Sequence, residues 1–260
     1  MKKELIQSLL KCKVEGTTVF LPPISEGVLT NYTQVKKALM DAGAKYKSNT
    51  FVFISDAQPF IDRLTGGEKV NIKKEFQFYG TPNKLADELV EMADIHDGDC
   101  VLEPSAGQGA IIKSIYKYQS RIMLSSNDKP CTTIDYCELM DDNNKVLSGI
   151  IDKSRTSFIG SDFFKLEVKS PYMYHRIIAN PPFSKNQDID HIKKMYKHLL
   201  KGGRLVTIAS NHWRNSMNKK ECEFRYWIKK VKAKVSEIEA GAFKKSGTMT
   251  SSCIIVIDKK

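Results

Sequence analysis

Apolar positions change their spacing several times along the chain, and each change marks a new element. Leu5, Ile6, Leu9 and Leu10 recur at helical intervals, as do Val35, Ala38 and Leu39 behind a Thr30-Asn31 cap. Gly43 stops that second helix, and the basic stretch Lys45-Tyr46-Lys47-Ser48-Asn49-Thr50 reads as a turn before a strand at Phe51-Val52-Phe53-Ile54. Asp56 then caps a helix through Leu64, which Gly66-Gly67 ends. From Asn83 to about Ile95, Leu85, Leu89 and Met92 share one helical face. Beyond it, short apolar strands alternate with helices. Strands are predicted at Cys100–Glu103, at Thr133–Leu139, ending near Gly160, at Ile177–Ala179, at Arg204–Ser210, at Glu237–Ala240 and at Ser252–Asp258. A helix over Ile189–Leu200 runs into Gly202-Gly203. Strand and helix in alternation predict an α/β fold with a mostly parallel sheet.

The character of the chain shifts near residue 75. Residues 1–75 are expected to form a small α+β module, either a nucleic-acid-binding unit of winged-helix type or a packing extension, and residues 76–260 the main domain. Charge follows the same division: residues 1–75 carry a net +4, residues 76–184 a net −4 and residues 185–260 a net +11. A slightly acidic middle between basic flanks suits a core whose rims face a polyanion. No run of about 18 apolar residues occurs, so no membrane span is expected. The N-terminal MKKELIQSLLKCK reads as an amphipathic helix rather than a signal peptide. The 6 cysteines contain no CxxC pair, which predicts free thiols in a cytoplasmic protein and no metal site.

Two stretches carry chemistry. Ile177-Ile178-Ala179-Asn180-Pro181-Pro182-Phe183 is a buried strand that prolines must end, because they fix φ and lack an N–H. Asn180 and Phe183 are thereby held at a strand's carboxyl end, where open α/β sheets bind ligands. Earlier, Glu103-Pro104-Ser105-Ala106-Gly107-Gln108-Gly109 joins a strand to a helix through a glycine turn. Such a turn lets the backbone approach a ligand and points helix-start N–H groups at an anion.

Together these stretches resemble the motifs of S-adenosylmethionine-dependent DNA adenine-N6 methyltransferases, with the cofactor loop preceding Asn-Pro-Pro-Phe as in the gamma-like order. The stretch Phe76-Gln77-Phe78-Tyr79-Gly80-Thr81-Pro82 resembles the motif that covers the methionine moiety in these enzymes. The resemblance spans about Phe76 to Lys259. It implies a Rossmann-like class I methyltransferase domain with a twisted, mostly parallel seven-stranded sheet. It also implies S-adenosylmethionine as cofactor, S-adenosylhomocysteine as product, and methyl transfer to adenine N6 in a flipped base.

On this pattern Tyr79, Thr81, Pro82, Ser105, Gly107, Gly109 and Asn180 would hold the cofactor, with Glu103 toward its ammonium. Glu138 would meet the ribose (Asp141 and Asp142 being rivals), beside Leu139. Asp162 would meet the adenine amino group and Phe163 its ring, although Asp162 also suits a turn or helix cap. Asn180, Pro181, Pro182 and Phe183 would be catalytic. Trp213, Arg214, Lys219, Lys220 and Phe243, with Phe183, would face the nucleic acid or target base, core packing being the alternative for Phe243. Trp213 is expected to be exposed and His191 to lie at the surface. DNA is the expected partner, RNA the alternative, with no membrane; a restriction endonuclease or another subunit stays open. A bacterial, phage or mobile-element origin is expected. An RNA amino-group methyltransferase, a protein-glutamine N5 methyltransferase and a non-catalytic nucleic-acid-binding subunit are the competing functions.

Overall fold

Burial alternates along the predicted central strands, and it does so in favour of both faces. Val101, Ile134, Ile178, Val206 and Ile254 belong to one apolar cluster, whereas Leu102, Ile177, Leu205, Ile255 and Ile257 belong to another. Only a sheet covered by helices on both sides requires this. The computed structural model describes residues 3–23, 29–72, 80–122, 131–169, 173–239, 243 and 251–260. The chain divides into two compact units, Met1–Phe78 and Tyr79–Lys260. No helix among the described residues is long and apolar enough to cross a membrane.

In the first unit the order is α1 (Lys3–Leu10), β1 (Lys13–Glu15), β2 (Thr18–Phe20), α2 (Tyr32–Asp41), β3 (Lys45–Lys47), β4 (Thr50–Val52) and α3 (Gln58–Thr65). The strands form an antiparallel sheet in the order β1-β2-β4-β3. This sheet corrects the expectation of one strand and a basic turn. Lys45–Lys47 is itself a strand, and the turn contracts to Ser48 and Asn49, both left-handed (φ 47° and 61°) as a two-residue hairpin turn requires. Strands β1 and β2, three residues each, are too short to display a period of two. Asn31 precedes α2 but makes no capping bond; its side chain accepts from Ser8 Oγ and donates to the Glu4 carbonyl, tying α1 to α2.

The second unit contains α4 (Asn83–Ala93), β5 (Cys100–Glu103), α5 (Ala110–Ile122), β6 (Thr133–Cys137), α6 (Asp141–Ser148), β7 (Thr156–Gly160) and β8 (Tyr174–Ala179). These are followed by α7 (Gln187–His198), β9 (Leu199–Ser210), α8 (His212–Asn215), α9 (Lys219–Lys230), β10 (Lys234–Glu237) and β11 (Ser252–Asp258). Its sheet is seven-stranded in the order β10-β11-β9-β8-β5-β6-β7. Strand β11 runs antiparallel to both its neighbours and the other pairings are parallel. This is the Rossmann-like sheet that the alternating pattern implies.

Strand β9 departs from expectation. It begins at Leu199 and passes through Gly202-Gly203, where a helix end and turn were predicted. The register with β8 slips there, pairing Tyr174 with Leu199 but Arg176 with Arg204. Gly202 takes φ +78°, and a Cβ on Gly203 would lie 2.9 Å from the His175 carbonyl, so the glycines mark a bulge rather than a stop.

One buried carboxylate locks α7 to this strand. Asp188 is fully buried, and its Oδ2 accepts from both the amide and the hydroxyl of Ser210 at 2.9 Å. Asp188→Ala would leave both donors unmatched and is expected to lower the unfolding free energy by about 2–3 kcal/mol. Asp190→Ala, which removes only the half-exposed pair with Lys220, should cost less than about 1 kcal/mol. Urea denaturation of the two variants makes the comparison.

Candidate active site

Parallel strands deliver their carboxyl ends to one edge of the sheet, and the chain's unusual residues collect there. Glu103 closes β5. Beyond it Ala106 donates from its amide to the Cys137 carbonyl at 2.9 Å, so the turn lies across the end of β6. Gly107 and Gly109 take φ +54° and +77°. A Cβ on Gly109 would stand 2.6 Å from Ile150 and 2.9 Å from Leu147, which makes glycine the residue that both the backbone and the packing accept.

The Gly107 amide donates to Glu138 Oε2 at 2.7 Å, while Glu138 Oε1 accepts from the Met140 amide and Asn143 Nδ2. Glu138 is thus a brace between the glycine turn and the start of α6, with burial pushing its pKa up. Leu139 beside it is exposed. Neither Asp141 nor Asp142 takes this position; both lie in the first turn of α6.

Glu103 itself is 1% exposed, and its Oε2 has no hydrogen-bond partner among the described residues. Burial drives its pKa well above the ordinary carboxylate value; the nearby Glu138 carboxylate adds to this, and the Ile112 amide opposes it. An orphaned, desolvated carboxylate oxygen behind a glycine turn fits a cationic ligand group, such as the ammonium of a methionine-derived cofactor.

Asn180 follows β8. The β5–β8 pairing sets Leu102 opposite Ile177, so the segments beyond Glu103 and Ala179 emerge side by side. Ser105 Oγ donates to the Asn180 carbonyl at 3.4 Å, and Asn180 Nδ2 donates to Thr81 Oγ1 at 3.0 Å. Three motifs separated by 75 and 99 residues in sequence therefore meet in two hydrogen bonds. Donation to Thr81 fixes the amide's rotation and turns its oxygen away from Thr81. The orienting role of Thr81 had no sequence signal beyond its place in a Thr-Pro pair. Pro181 is buried; Pro182 and Phe183 are half-buried, and Phe183 packs on the core beneath. Lys185 and Asn186 follow in left-handed conformations (φ 53° and 57°), so the chain turns sharply into α7.

Several expected positions are engaged in the fold itself. Asp162 accepts from the Phe164 amide at 2.9 Å, capping a short 3-10 turn, the alternative that its sequence left open. Phe163 is 2% exposed and packs between His191 and His198, while Phe164 is the exposed ring. Trp213 is buried edge-on to Phe224, not exposed, and Phe243 is buried in the core. His191 is buried, not a surface residue, and burial takes its pKa down to about 4, so it is neutral at pH 7. In each case an aromatic ring gains more by leaving water than by facing it.

Arg214 is paired with Glu237. Lys220 donates to the Asn186 carbonyl at 2.9 Å and pairs with Asp190, bracing the turn that follows Phe183. Of these cations Lys219 is exposed. Tyr79 lies outside the described residues, and Pro82 directly precedes α4. Among the described residues no group of three or more His, Cys, Asp or Glu is arranged to hold a metal ion.

A family model described as N-6 DNA methylase matches residues 68–228. No curated protein matches the chain. Its fold is similar to that of a type I restriction-modification methyltransferase subunit from Streptococcus thermophilus (TM-score 0.58, 15% identity, 70% of this chain and 45% of that one). It is also similar to a protein assigned as a modification subunit of a type I restriction enzyme from Vibrio vulnificus (TM-score 0.55, 14% identity, 80% of this chain and 54% of that one). A third structure, assigned as an RNA methyltransferase from Pyrococcus horikoshii, gives a TM-score of 0.50 at 17% identity over 73% of this chain and 90% of that one. The chain spans about half the length of the first two, and at these identities the likeness is one of fold.

The raised pKa of Glu103 has a definite sign. Its neutral form stabilises the fold, fully below the unfolded-state value of 4.5, and that contribution is lost as pH rises through the higher folded-state value. Glu103→Gln should therefore raise the melting temperature at pH 8, with the gain shrinking toward pH 4. The same change should weaken binding of S-adenosylhomocysteine about 10- to 100-fold, the range of a lost charge-assisted hydrogen bond. Thermal melts and calorimetric titration check the two halves separately.

Proposed function

The chain belongs to the N-6 DNA methylase family, and from that premise we propose that it methylates the exocyclic N6 of adenine in DNA, using S-adenosylmethionine. The observation that carries this reading is the joining of Ser105, Asn180 and Thr81 by hydrogen bonds at the carboxyl edge of the sheet. Glu103, Ser105, Gly107, Gly109, Thr81 and Pro82 would hold the cofactor's methionine end, with Tyr79 from the preceding motif. Glu138, Leu139, Asp162 and the turn carrying Phe163 border its nucleoside end. Because Glu138 already accepts three hydrogen bonds, it would meet the ribose by sharing its lone pairs or by releasing one of those donors.

When bound, S-adenosylmethionine supplies a sulfonium methyl group as the electrophile. The protein's task is to make a poor nucleophile point the right way. Adenine's amino nitrogen delocalises its lone pair into the ring. The Asn180 side-chain oxygen and the Pro181 main-chain oxygen, accepting its two N–H groups, favour a tetrahedral nitrogen with the lone pair directed at the methyl. Thr81 holds the Asn180 amide in the rotation this needs. Phe183 offers a ring against which an extruded base can stack, worth about 1–3 kcal/mol, against the few kcal/mol of removing the base from a duplex. Pro182 shapes the turn that brings these groups to the same edge. Lys219 and the braced Arg214 and Lys220 lie on the basic segment proposed to face the DNA. Trp213, buried against Phe224, supports that segment from the core, whereas Phe243 belongs to the apolar cluster on the other face of the sheet. Association with other restriction-modification subunits belongs to the same proposal.

Asn180→Ala is expected to reduce single-turnover methyl transfer at least 1000-fold while leaving S-adenosylhomocysteine affinity within about threefold; turnover near the unsubstituted level contradicts the role. Thr81→Val should lower kcat about tenfold, and Thr81→Ser should restore most of it, because serine keeps the acceptor for Asn180 Nδ2. Activity kept in Thr81→Val but lost in Thr81→Ser would mean that Thr81 acts by packing alone.

A further inference from the structure

Within the first unit, α2 and the β3–β4 hairpin carry a cluster of side chains that the function proposed above does not use. Lys36 Nζ stands 4.1 Å from the Tyr46 ring centroid and 5.9 Å from that of Tyr32, a cation held between two aromatic rings. Both rings are more than a third exposed. Tyr46 is not loosely placed. Its hydroxyl donates to Asn49 Oδ1 at 2.8 Å, and the Tyr46 ring leans on the fully buried Phe51 at 5.1 Å. Around them Lys37, Lys45 and Lys47 are exposed and make no ion pair among the described residues. Lys45 and Lys47 sit two residues apart on an edge strand, about 6.6 Å along the face opposite Tyr46, which pairs with Phe51. That places two cations at intervals of roughly one nucleotide in an extended strand.

Fixed, half-exposed rings beside unpaired lysines have a specific use. Buried tyrosines would serve packing, and lysines paired with acids would serve solubility. A ring already held by a hydrogen bond and by packing loses little freedom when a base stacks on it, and lysines that make no ion pair among the described residues have only solvent to give up. We propose that this strand edge binds a single-stranded stretch of DNA running along it, with phosphates on Lys45 and Lys47 on one side and a base against Tyr46 or Tyr32 on the other. The proposal takes only its choice of DNA from the function argued above; the surface itself lies outside the catalytic residues.

A short fluorescein-labelled oligothymidylate is the probe, because thymine has no exocyclic amino group and so cannot report on the catalytic site. Anisotropy titrations of the full chain over a range of salt concentrations give both affinity and salt slope. Lys45→Gln/Lys47→Gln should weaken binding about tenfold or more and reduce the slope of log K against log salt by about 1.4, two single-strand phosphate contacts. Tyr32→Leu should weaken it about fivefold with the slope unchanged. Lys153→Gln, an exposed lysine of the second unit, should match the unsubstituted chain. Circular dichroism melts show that each variant is folded, and S-adenosylhomocysteine binding should be the same in all of them. The proposal fails if the double variant keeps the original affinity and slope, or if only a duplex of the same length is affected. It also fails if the unsubstituted chain binds S-adenosylhomocysteine but not the oligothymidylate, an outcome that leaves methyl transfer to DNA to be judged by its own assay.

Discussion

Strands β5 and β8 lie side by side and parallel, with Val101 opposite Arg176 and Leu102 opposite Ile177. From this pairing the position of nearly every group at the site follows. Parallel strands at one level release their chains at one level, so Glu103 and Asn180 emerge together although 77 residues separate them in sequence. An antiparallel pairing would send one of them to the opposite edge. The two-sided burial of the central strands then fixes the register, because a slip by one residue would move Ile177 and Ile178 into each other's clusters.

On this frame the site is held in a form that is costly without its ligand. Glu103 is buried with an unmatched oxygen, Gly109 is hemmed in by Ile150 and Leu147, and Lys185 and Asn186 are both left-handed. Such features persist only where the surroundings over-determine them. Asp188 and Ser210 pin α7 to β9 behind the Asn180–Phe183 turn, and Lys220 pins the same turn through the Asn186 carbonyl. A cationic ligand at Glu103 would relieve the least favourable of these features, which links cofactor binding to stability.

Much of this was legible in the residues. Long apolar strands ending in Glu103 and in Asn180-Pro181-Pro182 announce themselves, because hydrophobic runs and prolines act locally. The sheet of the first unit was not legible, since strands of three residues carry no periodicity and Lys45-Tyr46-Lys47 looks like a turn by composition. Strand β9 hid behind its glycines, which serve a bulge there rather than an end. Side-chain direction was the weakest inference. Sequence places Phe163 and Phe164 equally well at a strand end, and only the packing of His191 and His198 decides which ring turns inward. Trp213 sits in a polar, basic segment and is nonetheless buried, because Phe224, two turns along in the chain's next helix, folds back over it. Thr81 became interpretable only once Asn180 stood 3.0 Å from it.

The most direct measurement is transfer of a tritiated methyl group from S-adenosylmethionine to unmethylated bacterial DNA, with total RNA as a parallel substrate and the products digested to nucleosides. The site as described predicts label in N6-methyldeoxyadenosine, and a loss of that label in Asn180→Ala. Label confined to RNA nucleosides would contradict the proposed substrate, and bound cofactor with no label in either would contradict nucleic-acid methylation itself.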